Sequence, residues 1–164
     1  MLDLRRAGAA DVATCRSLEK RARVRYYAFP GLEAAAAAPA IAAERFDAGP
    51  FWVAEIDATA VGYALAQPLD GALYIASIGV APEASGRGLG AALMGAVAAE
   101  AERLGARAVT LATFKAPPWN GPWFRRHGFA PMPEAEIGPG LRAILDRHAR
   151  VLDMAGRETL WKPL

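Results

Sequence analysis

The sequence predicts an α+β fold: a mixed, mostly antiparallel sheet of six to seven strands flanked by helices, in one domain spanning residues 1–164. Three observations lead there. Phe51 to Val80 reads as three strands joined by tight turns, a meander. A glycine-rich stretch, Ser85-Gly86-Arg87-Gly88-Leu89-Gly90, then opens a long helix with one apolar face. Last, Ala108-Val109-Thr110-Leu111-Ala112-Thr113 is an apolar strand directly after that helix. Strand, loop, helix and strand together make a crossover unit, which is normally parallel and right-handed.

Each element has a local reason. Leu2 to Arg6 alternates and reads as a first strand. Asp11 is placed to cap a helix running to about Arg25, with Val12, Cys15, Leu18 and Ala22 on one face. Tyr26-Tyr27-Ala28-Phe29-Pro30-Gly31 breaks it. Glu33 to Phe46 reads as a second, alanine-rich helix interrupted at Pro39, because alanine is the best helix former. Phe51 to Ile56 and Val61 to Gln67 are strands about the turn Asp57–Ala60. Pro68-Leu69-Asp70-Gly71 turns again, into the strand Leu73–Val80. The long helix spans Gly88 to Leu104, with Leu89, Ala92, Leu93, Ala96, Val97 and Leu104 on its apolar face and Glu100, Glu102 and Arg103 on its polar face. Gly105 ends it as a C-terminal glycine does. Asn120 is placed to cap a short helix with Pro122 in its first turn and His127-Gly128 at its end. Pro139 to Leu152 reads as a helix, and Arg157 to Lys162 as a final strand.

Composition excludes several functions. Lys plus Arg number 19 and Asp plus Glu 17, too balanced for a nucleic-acid surface. No apolar run approaches the roughly 18 residues of a membrane span, and Met1-Leu2-Asp3-Leu4-Arg5-Arg6 has no apolar signal core, so the expectation is a cytoplasmic protein without a membrane partner. Cys15 is the one cysteine; it cannot form an internal disulfide and reads as a buried thiol. With two separate histidines and no clustered carboxylates, no metal site is predicted. Serine lacks a Gly-x-Ser-x-Gly setting, so a hydrolase triad is unsupported.

The glycine loop carries the chemistry. Glycines at 86, 88 and 90 strip side chains from a helix start, where unpaired amides and the helix dipole favour phosphate. A P-loop needs Gly-Lys-Ser/Thr, but Ala91-Ala92 follows Gly90. Gly86, Gly88 and Ala91 satisfy the dinucleotide pattern, yet five residues separate the strand from Gly86, and Leu111-Ala112-Thr113 offers no acid for a ribose. The third reading is a resemblance. Val80-Ala81-Pro82-Glu83-Ala84-Ser85-Gly86-Arg87-Gly88-Leu89-Gly90-Ala91-Ala92-Leu93-Met94 resembles the cofactor motif of the GNAT N-acetyltransferase superfamily. Ser85 departs from it, standing where that family usually has Gln or Arg. The layout of elements agrees along the chain, ending in Gly128-Phe129. The segment from Thr113 to Phe129, with Pro118-Trp119-Asn120, further resembles a subgroup with bacterial members.

That resemblance implies transfer of an acetyl group from acetyl-CoA, a substrate here rather than a resident cofactor, to a primary amine of a small molecule or amino acid. It implies that Leu73–Val80 splays from Ala108–Thr113 and that the pantetheine arm pairs with Ile78, Gly79 and Val80. The pyrophosphate then lies on the amides of Ser85, Gly86, Arg87, Gly88, Leu89, Gly90 and Ala91, with Asn120 and Phe124 also against the cofactor. Arg87 either adds charge there or is a solvated arginine. The backbone N–H of Val80 is the implied oxyanion donor. Tyr74 matches a position used for a base in some members; with a pKa near 10 it is a poor base, and holds a water or packs. Phe124 stands where the family's acid is usually a tyrosine, and it has no proton to give. A non-catalytic acyl-CoA sensor or subunit is therefore the rival reading, and a nucleotide-binding oxidoreductase a weaker one. Tyr26, Tyr27, Phe29, Trp119 and Trp123 either line an acceptor site or belong to the core. His127 reads as a helix-end cap before a catalytic group. By analogy with the family, Trp161 and the last strand are candidates for a homodimer contact.

Overall fold

The computed structural model describes residues 1–164. Seven strands form one mostly antiparallel sheet in the order β1-β2-β3-β4-β5-β7-β6. The chain divides into two compact units, residues 1–67 with 75–99, and residues 68–74 with 100–164.

In the first unit, β1 (Leu2–Arg6) pairs antiparallel with β2 (Phe51–Ile56), and β2 with β3 (Thr59–Leu69). Asp57 and Ala58 both take positive φ, the geometry a two-residue hairpin turn demands, so β3 begins two residues earlier than expected. Helix α1 (Val12–Ala22) buries Cys15, Leu18 and Ala22, then tightens into a 3-10 turn over Arg23–Ala28. Asp11 does not cap α1 with its side chain. It turns back to accept from Gly8 N (2.9 Å) and from Arg5 (2.8 and 3.0 Å), and the Arg5 guanidinium holds its carboxyl down at about 2.

The helix expected over Glu33–Phe46 is interrupted at Pro39 as anticipated, but it is α-helical only before the break, and Ala43–Ala48 forms a 3-10 segment instead. α2 is only Glu33–Ala37, and Ala38 is extended at φ −59°, ψ 147°. The proline ring of Pro39 disfavours helical backbone at the residue before it, which alanine's propensity does not outweigh. The freed segment is held by buried side chains instead. Glu19 accepts from Ile41 N (2.9 Å) and pairs with Arg23, which donates to the carbonyls of Ala38 (3.1 Å) and Pro39 (2.9 Å). Helix α3 (Leu89–Arg103) packs Leu89, Leu93 and Val97 into the core. Leu104 is exposed and Glu100 is buried against Arg103, reversing both expectations, because the helix ends before Leu104 completes the apolar stripe.

In the second unit, β4 (Ala72–Val80, which continues into the first) and β5 (Ala108–Phe114) are parallel. β7 (Arg157–Pro163) runs antiparallel to β5 along its whole length and pairs on its other side with β6 (Ala130–Pro131), a two-residue strand that no periodicity announces. Gly105, at φ +67°, closes α3: its N–H donates to Glu102 O and Ala106 N–H to Ala101 O, the paired bonds of a Schellman end. α4 (Gly121–Arg126) and α5 (Pro139–Ala149) follow. The Asp70 carboxylate, in the turn before β4, accepts from Gly140 N (2.9 Å) and Leu141 N (2.8 Å), capping α5 from seventy residues away. Leu111, Leu141, Ile144, Phe124, Phe129 and Leu160 form this unit's core.

Candidate active site

The loop before α3 begins where β4 ends. Ala81 N–H donates to Val61 O (2.7 Å), tying the strand end to β3, and Pro82–Ala84 makes one 3-10 turn closed by Ser85 N–H to Pro82 O (3.2 Å). Gly86 and Gly88 then take φ of +80° and +79°. Those values suit glycine and strain a side chain, and a Cβ at either position would meet nothing within 4 Å. Ser85 through Gly88 are exposed. The first bond of α3 comes from Ala92 N–H to Gly88 O (3.0 Å), so Leu89, Gly90 and Ala91 amides precede the helix ladder and have no intrahelical acceptor. Open space, left-handed glycines and free amides meet at the N-terminal end of a fifteen-residue helix, where the helix dipole is positive.

Behind the loop, β4 is shaped by close packing. A Cβ on Gly79 would come within 2.9 Å of Tyr63 Cε1 and 3.2 Å of Ala22 Cβ. On Gly62 it would come within 3.2 Å of Leu93 Cδ1 and 3.4 Å of Gly79 O. Glycine at both positions lets β3, β4 and the helices approach. The Tyr63 ring is buried, and burial raises its pKa; its hydroxyl and Ser77 Oγ share a hydrogen bond of 2.7 Å. This polar pair in β3 and β4 was not foreseen; Ser77 among apolar strand residues is its one trace in the sequence.

The parallel ladder of β4 on β5 has two rungs, Leu73↔Val109 and Tyr74↔Thr110, and extends no further. Tyr74, buried, lies at the last rung. β5 itself continues in register with β7 as far as Phe114↔Arg157.

In the second unit, Asn120 is at the N-cap position of α4, where its carbonyl accepts from Phe124 N (3.0 Å). Its side chain does not cap the helix as expected, since φ −108°, ψ −119° is not the extended backbone of a side-chain cap. Phe124 is buried, edge-on to Trp123 (5.1 Å) and Phe129 (5.7 Å). His127 is the C-cap: its Nδ1–H donates to Trp123 O (2.8 Å), and its ring stacks on Trp123 at 3.9 Å. Of the aromatics singled out, Tyr27 is exposed, while Tyr26, Phe29, Trp119 and Trp123 are half-buried. Cys15 is fully buried, and burial pushes its thiol up to about 11. No group of three His, Cys, Asp or Glu side chains is gathered anywhere, and no helix is long and apolar enough to cross a membrane.

The family model for the GNAT family of acetyltransferases matches residues 15–129, well over half the chain, and the protein belongs to that family. Solved structures agree in fold. N-acetylglutamate synthase from Neisseria gonorrhoeae, complexed with coenzyme A and N-acetyl-glutamate, is 19% identical with a TM-score of 0.73. All of this chain aligns with it, but the chain spans only 35% of that protein's length. Ribosomal-protein-S18-alanine N-acetyltransferase from Escherichia coli is 15% identical at TM-score 0.69, over 99% of this chain and 94% of that one. PaiA N-acetyltransferase from Thermoplasma acidophilum, in complex with coenzyme A, is 12% identical at TM-score 0.72, over 100% and 99%.

Proposed function

We propose that this single-domain acetyltransferase uses acetyl-CoA to acetylate a primary amine of a small molecule or amino acid by direct attack. The observation that carries the reading is the open, left-handed Gly86 and Gly88 at the start of α3, in a chain of this family. The amides from Ser85 to Ala91 hold the pyrophosphate, with Arg87 as an added charge. The backbone of Ile78, Gly79 and Val80 aligns the pantetheine arm as an added strand would. The short β4–β5 ladder supports this.

In the reaction the neutral amine nitrogen forms a bond to the thioester carbon, the C–S bond breaks as the carbonyl re-forms, the thiolate leaves, and the proton shed by the nitrogen passes to water. The Val80 amide donates to the oxygen that gains charge. An alkylamine has a pKa near 10.4, so a neutral amine must be selected or its proton led away through water. Tyr74 orders that water rather than acting as a base. Phe124 supplies no proton. A thiol pKa near 8.5 makes the thiolate a tolerable leaving group without one, so this chain turns over slowly instead of not at all.

Thermal shift with acetyl-CoA, CoA, NAD and ATP tests the ligand. At one hundred times Kd, acetyl-CoA stabilises by about 2.7 kcal/mol, roughly 5–10 °C in Tm for a chain of this size. Stabilisation by NAD and not by CoA overturns the reading. Free-thiol release across an amine panel tests the chemistry. Tight CoA binding with no release from any amine establishes the sensor in place of the enzyme.

A further inference from the structure

Between Asp70 and Glu100 the sequence contains one acidic residue, Glu83, and one basic residue, Arg87. Both lie in the loop that leads into α3, so the loop's own side chains bring no net charge to a ligand that carries several negative ones. The fold alters that balance. Arg21, in the last turn of α1, reaches across to the loop, and its Nη2 donates to Glu83 Oε1, sixty-two residues along the chain. Glu83 sits in the 3-10 turn Pro82–Ala84, and Gly86 follows three positions later, a span of at most about 11 Å of chain. A guanidinium from another element is therefore held at the turn that leads into the glycine loop.

The pair is suited to exchange. Both side chains are largely exposed, at 46% and 59%, and an exposed ion pair is weak because solvent screens it. The Glu83 carboxyl is held below its ordinary range first by its own backbone amide and then by Arg21, so it stays ionised and keeps a contact of its own when Arg21 leaves. A phosphate offers Arg21 a denser charge and paired oxygens in the geometry a guanidinium matches.

We propose that Arg21 is a phosphate-binding residue of the acyl-CoA site: it rests on Glu83 in the free protein and transfers to the cofactor's phosphates on binding. This rests on the reading of the glycine loop given above. Arg21 then supplies the second cation of a site whose own loop provides only Arg87, and Glu83 is a resting partner that competes with the ligand.

The test is a calorimetric cycle on the full chain with CoA. Arg21→Ala is expected to weaken CoA by roughly three- to tenfold. Glu83→Gln is expected to tighten it, because the competitor is gone. The double variant Arg21→Ala/Glu83→Gln is expected to stay as weak as Arg21→Ala. Restoration of wild-type affinity in the double variant overturns the proposal, since Arg21 would then only mask Glu83. Acetyl-pantetheine, which lacks the phosphates, should bind all four proteins alike; an equal loss there also overturns it. Gly88→Glu separates the two readings. If that variant binds CoA normally, the loop assignment is wrong; if it abolishes binding while Arg21→Ala changes nothing, the loop stands and this inference falls.

Discussion

Gly79→Ala adds one methyl group to the strand proposed to align the pantetheine arm, and the cost follows from its surroundings. The new Cβ would lie 2.9 Å from Tyr63 Cε1, 3.2 Å from the Tyr63 hydroxyl and 3.2 Å from Ala22 Cβ. Carbon atoms pack best at about 3.5–4.0 Å, so the ring or the strand must give by about half an ångström or more. The ring is poorly placed to give. It is buried, and the 2.7 Å bond to Ser77 Oγ fixes its far end. Overpacking of this kind costs about 1–3 kcal/mol, or roughly 2–12 °C in Tm for a chain of this size. Tyr63→Phe removes the hydroxyl and its tether at about 1 kcal/mol, and lets the ring tilt. The double variant should therefore lose less than the sum of the two, a coupling of 0.5 kcal/mol or more by the usual measure. Chemical denaturation of the four proteins reads this directly. A Gly79→Ala loss under about 0.5 kcal/mol, or strict additivity with Tyr63→Phe, refutes the close-packing argument.

Gly88→Glu places an L-residue at φ +79° with open surroundings, so the fold should lose only about 1–2 kcal/mol while CoA affinity falls more than a hundredfold by isothermal titration; Gly88→Asn, which tolerates that backbone and adds no charge, should bind CoA with a modest loss. Asp70→Ala removes both acceptors at the start of α5 and should cost about 0.5–2 kcal/mol, seen as a Tm lower by roughly 1–8 °C, with CoA binding unchanged. Asp11 is lowered to about 2 in the fold, so its contribution is complete above its ordinary value of 3.8 and is lost as pH falls through 2; Asp11→Asn should flatten the acid limb of a stability–pH curve there. Cys15 is raised to about 11, so its contribution is complete below its ordinary value of 9.0 and is lost as pH rises through 11; Cys15→Ser should flatten the alkaline limb, and the thiol should resist alkylation near neutral pH in the folded state.

The parts of the fold that were legible are those set by local pattern. Alternation placed β1 to the residue, an apolar run ending at a turn placed β2, and three glycines with a following apolar stripe placed the loop and α3. The break at Pro39 was legible, but propensity misled beyond it, where Ala43–Ala48 forms a 3-10 segment and not the expected helix. β6 was illegible because two residues carry no period. The caps were misassigned for a common reason: a short polar side chain chooses among partners that only the fold supplies. Asp11 finds Arg5 and Gly8, and Asp70, read as a turn residue, finds the start of α5. In the candidate site, the glycines were legible because their backbone geometry dictates their identity. Tyr63 with Ser77 and Arg21 with Glu83 were not, since each pairing is made between elements far apart in sequence.

Amide hydrogen exchange with and without acetyl-CoA is the most direct measure of the ligand's seat. Bound acetyl-CoA should slow exchange in two stretches, Ser85 to Ala91 and Ile78 to Val80, and leave β1 and the turn at Asp57 unchanged. Saturating acetyl-CoA that leaves both stretches exchanging at their free rates would contradict the account.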